Sequence, residues 1–299
     1  MATAFVLSGG GSLGAVQVGV LQALHARGVQ PDLLVGASAG ALNAAFIADR
    51  GLTRDALAEL ADVWIGLRRS DVFPFAPRHH LLALAGVRSS LCMPTGLRHL
   101  IATHLRIDRL EDATIPVHVV ATDVLSGTEV LLSHGDARAA VAASAAIPAV
   151  LPPVEIDGRV LFDGGVADNT PISQAVALGA DRIVVIPAGV PCALSAPPRS
   201  ALATAVHALT LLIEQRLVHD VAAHHDQVEI VVAPPLCPLS VSSLDFRRAR
   251  SLIDRARSTA DAWFDSGFHR LPHPERFLSL HTHDRPCPGS ADCHGGHAA

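Results

Sequence analysis

At 299 residues, 49% of them hydrophobic, the chain is long enough to bury a sizeable core as one large domain or one domain with an appendage. A formal net charge of -5 excludes the broad positive field that nucleic-acid binding uses, so no nucleic-acid partner is expected. Five scattered cysteines make no disulfide framework, and neither a signal peptide nor an apolar run long enough to span a bilayer is evident, so a cytoplasmic chain, at most peripheral to a membrane, is expected.

Residues 4–7 form a short apolar run leading into SGGGSLG, and residues 15–27 carry Val16, Val20, Leu21 and Leu24 at helical spacing, closed by Gly28 and Pro31. Residues 33–35 predict a second strand, the GASAG turn follows, and 42–49 predict a second helix. Two strand-loop-helix units in succession argue for parallel strands covered by helices. From 54 to about 110 the pattern is helical, broken at FPFAPRHH and CMPTG, and reads as a cap over a site.

Strand-like runs return at 117–121, 129–132, 160–162 and 182–186. Between the last two, Thr170 as N-cap, Pro171 at the first helical position and Gly179 at the end punctuate a helix. A long helical stretch at 201–225, a strand-like run at 228–232 and an amphipathic helix at 246–264 follow. From residue 281 onward Gly, Pro, His and Cys dominate and disorder is expected. His281, His283, Cys287, Cys293, His294 and His297 in that tail fit no standard zinc-site spacing, so no metal is expected.

Ser38 lies between Gly36 and Gly40, on the turn from an apolar strand into a helix. Such an elbow exposes a serine hydroxyl and aims a helix N-terminus at charge forming beside it; a plain N-cap in a Gly-rich turn is the alternative. Gly9, Gly11 and Gly14 also satisfy G-x-G-x-x-G, the pattern of a dinucleotide site. That reading needs an acid at the C-terminal end of the second strand, and Asp32 stands at its other end. Consecutive N–H groups around Gly10 and Gly11 can instead form an oxyanion hole, which parallel strands would bring beside Ser38.

A nucleophilic serine needs a base. Among 17 histidines, His79, His80, His99 and His104 lie in the helical section, and His118 falls inside a strand, where a structural role is favoured. Asp163 ends a strand and precedes Gly164 and Gly165, in a strand-end loop of the kind that holds catalytic groups in α/β enzymes. An ordinary Asx-turn is the alternative there, and Asp123 and Asp168 are rival carboxylates. Arg68, Arg69, Arg78, Arg88 and Arg98 read as a solvated face or as contacts to anionic headgroups.

Together, GGGSLG at 9–14, GASAG at 36–40, ASAAIPAVLPP at 143–153 and DGG at 163–165 resemble the patatin-like phospholipases over roughly residues 5–190. The resemblance implies a three-layer α/β/α fold with a mainly parallel central sheet and additional C-terminal helices. It implies a Ser-Asp dyad without histidine, Ser38 as nucleophile and Asp163 as proton acceptor, with an oxyanion hole from Gly9, Gly10, Gly11 and Gly14. It also implies a lipid or other ester as substrate and no cofactor. Leu13 departs from the pattern, because the family's loop commonly carries Arg or Lys there, which leaves the oxyanion to backbone donors. In this scheme residues 5–190 are the catalytic domain, 191–275 a C-terminal helical extension packed on it, and 276–299 a disordered tail. An aspartate acting as base needs a raised pKa, so Asp163 is expected in a partly dry pocket. A catalytically idle binding relative and a nucleotide-binding oxidoreductase are the other functions considered.

Overall fold

A computed structural model describes residues 1–267 apart from Phe75 and Ser195, so the His/Cys tail lies outside the described residues. The chain begins β1 (Thr3–Leu7), α1 (Gly14–Ala26), β2 (Leu33–Ala37) and α2 (Ala39–Arg50), then crosses a helical section, α3 (Arg54–Gly66), α4 (Arg69–Val72), α5 (Pro77–Leu84) and α6 (Thr95–His104). It continues with β3 (Val117–Asp123), β4 (Glu129–Leu132), α7 (Ala137–Ser144), β5 (Val154–Ile156), β6 (Arg159–Asp163) and α8 (Ile172–Ala177). The last described elements are β7 (Arg182–Ile186), α9 (Ala201–His224), β8 (Glu229–Val232) and α10 (Ala249–Asp265).

All eight strands join one sheet, ordered β5-β6-β3-β2-β1-β7-β8 with β4 beside β3. The core strands β3, β2, β1, β7 and β8 are mutually parallel. Alternate residues face opposite sides, as a pleated strand requires. Phe5, Leu7, Leu34 and Val184 enter the apolar layer under α1, α2 and α10, whereas Ala4, Val6, Val35 and Val185 enter the layer under α8 and α9. Burial on both faces explains the unbroken apolar sequence of these strands. The result is the three-layer α/β/α architecture, continued after residue 190 by β8 in the same sheet and by α10 packed on α1. Among the described residues no helix is long and apolar enough to cross a membrane.

Two strands, β4 and β6, run against the parallel set, and β6 bears on the site. β6 is antiparallel to β3, Ala121 standing opposite Asp163. Since β4 occupies one edge of β3 from Val119 to Thr122, β2 and β6 must share the other edge in tandem, β2 along residues 117–120 and β6 along 121–123. The C-terminal ends of β2 and β6 therefore run toward each other over one strand and meet at Ser38 and Asp163. A second difference is small: α8 starts at Ile172 with Pro171 as its N-cap, and no side chain caps it. Pro171 has ψ 64, outside the helical range, so it precedes the helix instead of opening it.

Candidate active site

The turn at Ser38 is strained as a nucleophile elbow is: φ is 53 and ψ is -122, in a region that L-residues with side chains seldom occupy. Close packing imposes it. A Cβ on Gly40 would lie 2.1 Å from the carbonyl oxygen of Leu7, and one on Gly36 would lie 2.6 Å from the carbonyl oxygen of Gly40. Ser38 N–H donates to Ser144 Oγ at 2.9 Å, and the Ser144 hydroxyl donates to Val120 O at 2.5 Å. Ser144 is fully buried at the end of α7, so Ser144→Ala strands one N–H and one C=O without water. Urea denaturation is expected to show a loss of about 1–3 kcal/mol.

The Ser38 hydroxyl donates to Asp163 Oδ2 at 2.7 Å, and Gly165 N–H donates to Asp163 Oδ1 at 2.8 Å. Asp163 is anchored further by Thr122 Oγ1, which donates to its carbonyl at 2.9 Å, and by its own N–H, which donates to Ala146 O at 3.0 Å. The short stretch Ser144 to Ala146 thus holds both partners. Gly164 lies against Val120 O, where a Cβ would come within 2.1 Å. Burial pushes the Asp163 carboxyl up to about 6, against the opposing pull of the hydrogen bonds from Ser38 and Gly165.

The Gly-rich loop lies directly over Ser38: a Cβ on Gly9 would be 3.0 Å from Ser38 Cβ. Its donors divide into two groups. Gly9 N–H is taken by Asn169 O at 3.1 Å and Gly14 N–H by carbonyls of the preceding turn, whereas the N–H groups of Gly10 and Gly11 make no hydrogen bond among the described residues. Two of the four loop glycines thus keep an unbonded N–H among the described residues. Leu13 is fully buried in the apolar core, which explains its departure from the family pattern: at this position the chain uses the side chain for packing.

A buried polar chain supports the loop from beneath. Gln17 Nε2 donates to Ser8 O at 2.8 Å and to Ile186 O at 3.0 Å, Asn43 Nδ2 donates to Gly14 O at 3.0 Å and Gln17 Oε1 at 2.8 Å, and Trp64 Nε1 donates to Asn43 Oδ1 at 2.8 Å. Every polar atom so enclosed carries a partner, which makes such a network rigid. The sequence signal for it is slight: single amides inside otherwise apolar helices.

The pocket holds about 660 Å³ of space open to solvent. Asp163, Ser38 and the glycines form its floor, and Ile147, Pro148, Val206, Leu209 and Leu244 give it apolar walls. No histidine, lysine or arginine lines it among the described residues. His79 bonds to Ser90 O and His118 to Ser133 Oγ, so both serve structure. Asp123 accepts the N–H groups of Leu125 and Ser126, the Asx-turn alternative. Asp168 is buried outside the pocket, its carboxyl pushed up by burial and by the neighbouring Glu129. Asp32 accepts Thr3 N–H at the opposite end of β2, so it cannot face the glycines as a dinucleotide site requires.

The chain is 31% identical over 193 residues to an uncharacterized NTE family protein of Mycobacterium tuberculosis, a match covering 61% of this chain and 48% of the relative. It is 29% identical over 193 residues to patatin-like phospholipase domain-containing protein 7 of Mus musculus, covering 63% of this chain and 14% of that protein. The chain therefore spans about half or less of these relatives' lengths. Among solved structures, VipD from Legionella pneumophila aligns over 89% of this chain and 67% of its own, with 17% identity and a TM-score of 0.47. The profile of the patatin-like phospholipases matches residues 5–176, more than half of the sequence, and the chain belongs to that family.

Proposed function

We propose that this protein is a serine acyl hydrolase that cleaves lipid carboxylic esters, of the phospholipase A or lysophospholipase type, through a Ser38-Asp163 dyad. The observation that carries the reading is the 2.7 Å hydrogen bond from the Ser38 hydroxyl to a buried carboxylate, in a pocket that no histidine lines among the described residues. Asp163 accepts the Ser38 proton as Oγ attacks the ester carbonyl, and the oxyanion develops toward the Gly10 and Gly11 N–H groups. The alcohol leaves with the proton from Asp163, and an acyl-enzyme remains. Asp163 then takes a proton from water, whose oxygen attacks the acyl carbon and releases the fatty acid and a regenerated Ser38. The apolar walls suit an acyl chain.

In this scheme residues 5–190 carry the reacting groups, and the extension at 191–275 completes the pocket through α9 and Leu244. The scheme uses no cofactor or metal. Treatment with a fluorophosphonate probe, with the adduct located by peptide mass spectrometry, should find Ser38 alone labelled; fatty acid release from phosphatidylcholine and lysophosphatidylcholine identifies the ester class. A folded protein that stays unlabelled, or is labelled elsewhere, defeats the proposal and favours an idle relative.

A further inference from the structure

We infer that the rim of the Ser38 pocket is a docking surface for an anionic lipid bilayer, an inference that rests on the lipid-ester reading of that pocket. Of the nine large apolar side chains exposed among the described residues, all but Met1 belong to segments around this mouth. Val124 and Leu125 follow the end of β3, and Val124 N–H donates to the carbonyl of Val160 at 2.9 Å, so the three stand together beyond Asp163. Leu125 is 92% exposed. Val166 lines the pocket itself, and Leu212, 68% exposed, projects from α9.

The remaining three, Leu81, Leu82 and Val87, lie on the segment around α5, which is tied to the pocket rim on both sides. Phe73 packs edge-on against Phe246, two residues from the lining Leu244. Leu91 and Cys92 donate their N–H groups to Ala149 O and Val150 O, next to the lining Pro148. Clustered apolar exposure of this kind marks an interaction surface, whereas scattered residues would need no explanation.

The first half of α9 points the same way. Residues 201–213, ALATAVHALTLLI, contain no Asp, Glu, Lys or Arg. A surface helix ordinarily keeps one polar face, yet here Val206 and Leu209 turn toward the pocket while Leu212 faces outward. The second half is conventional, with Leu217 and Val221 buried against the sheet. Uncharged on both faces, the first half suits the boundary between headgroups and acyl chains.

The charges select the partner. Arg78, Arg88 and Arg199 stand exposed on these segments and form no ion pair among the described residues, whereas Arg159 already acts on the Asp123 carboxylate, and this although the chain as a whole is net negative. Apolar tips flanked by free guanidinium groups match acyl chains beneath anionic headgroups, since arginine can lay its stem on the apolar layer and keep its head at the phosphates. A pocket serving dissolved esters has no use for such a rim.

The test uses full-length Ser38→Ala protein, which cannot degrade the membrane, sedimented with vesicles of equal parts phosphatidylglycerol and phosphatidylcholine. It should bind these vesicles, bind phosphatidylcholine alone more weakly, and lose affinity as salt rises. Adding Leu81→Asp and Leu125→Asp should weaken binding by about tenfold or more, since each leucine forfeits its burial. Adding Arg78→Glu and Arg88→Glu instead should remove most of the preference for anionic vesicles. Melting curves establish that each variant is folded. Absence of binding by the folded parent, or binding by both sets of variants that equals the parent's, overturns the inference. The two readings fail separately: vesicle binding with Ser38 unlabelled in the unmutated protein sinks only the hydrolase, and labelling without vesicle binding sinks only this surface.

Discussion

Asp163→Asn is expected to slow ester hydrolysis by about 10²–10⁴-fold, the usual contribution of a positioned general base, and at the same time to make the protein more stable above pH 6. Both effects follow from burial. Asp163 is 6% exposed and its carboxyl is pushed up to about 6, with no cationic partner among the described residues to offset the desolvation. Activity requires the ionised form, so kcat/KM of the unmutated enzyme should rise through about pH 6 and then level off. Stability runs the opposite way. A carboxyl whose folded pKa exceeds its unfolded value of about 3.9 binds its proton more tightly in the folded state. Its stabilising contribution is therefore complete below the unfolded value and is lost as pH rises through the folded one. A rise of about two units corresponds to a penalty of about 3 kcal/mol for carrying the charge at pH 8. Asparagine carries no charge and keeps an oxygen for the Gly165 N–H, so a gain of about 1–3 kcal/mol at pH 8 is expected, vanishing near pH 4. Melting temperatures of the two proteins across that range, with hydrolysis measured in parallel, decide it. Wild-type rates, or a variant less stable at pH 8, would remove Asp163 from the role of buried base.

Local chemistry made the main groups of this site visible in the sequence. Small residues around Ser38 and glycines after Asp163 are required by contacts within a few residues, so pattern alone reveals them. The direction of β6 is a different kind of fact. An apolar run at 160–162 reads the same whichever way it pairs, and what aligns it with β2 is the occupation of the other edge of β3 by β4. The supports Ser144, Thr122 and Asn169 depend on contacts across distant parts of the chain; Ser144 to Val120 alone spans 24 positions. The use of Leu13 as a core residue is likewise invisible until α1 is placed on the sheet. The candidate residues for the chemistry were legible, and the residues that hold them in place were not.

Gly11→Ala is expected to lower kcat by about 10²–10³-fold while leaving KM for a soluble ester almost unchanged. Gly11 has φ 58, a left-handed conformation that costs an L-residue roughly 1–2 kcal/mol. Its new Cβ would also lie 2.5 Å from Ser243 O, a backbone oxygen that accepts the Ser12 N–H at 2.8 Å. Backbone cannot swing aside as a side-chain tip can. Relief has to come from the loop around Gly11, and movement there displaces the two unbonded N–H groups to which the proposed scheme assigns the oxyanion. Losing one oxyanion donor costs about 2.7–4 kcal/mol of transition-state stabilisation, which sets the size of the effect on kcat. Ground-state binding on the apolar walls does not use those donors, so KM is spared. Gly28→Ala supplies the control for backbone strain: its φ of 70 is comparable, but nothing lies within 4 Å of the added Cβ and the residue is remote from the pocket. It should lose about 1 kcal/mol of stability with kcat intact. If Gly11→Ala merely matches that control, the oxyanion does not rest on this loop, and the N-terminal N–H groups of α2 become the place to look.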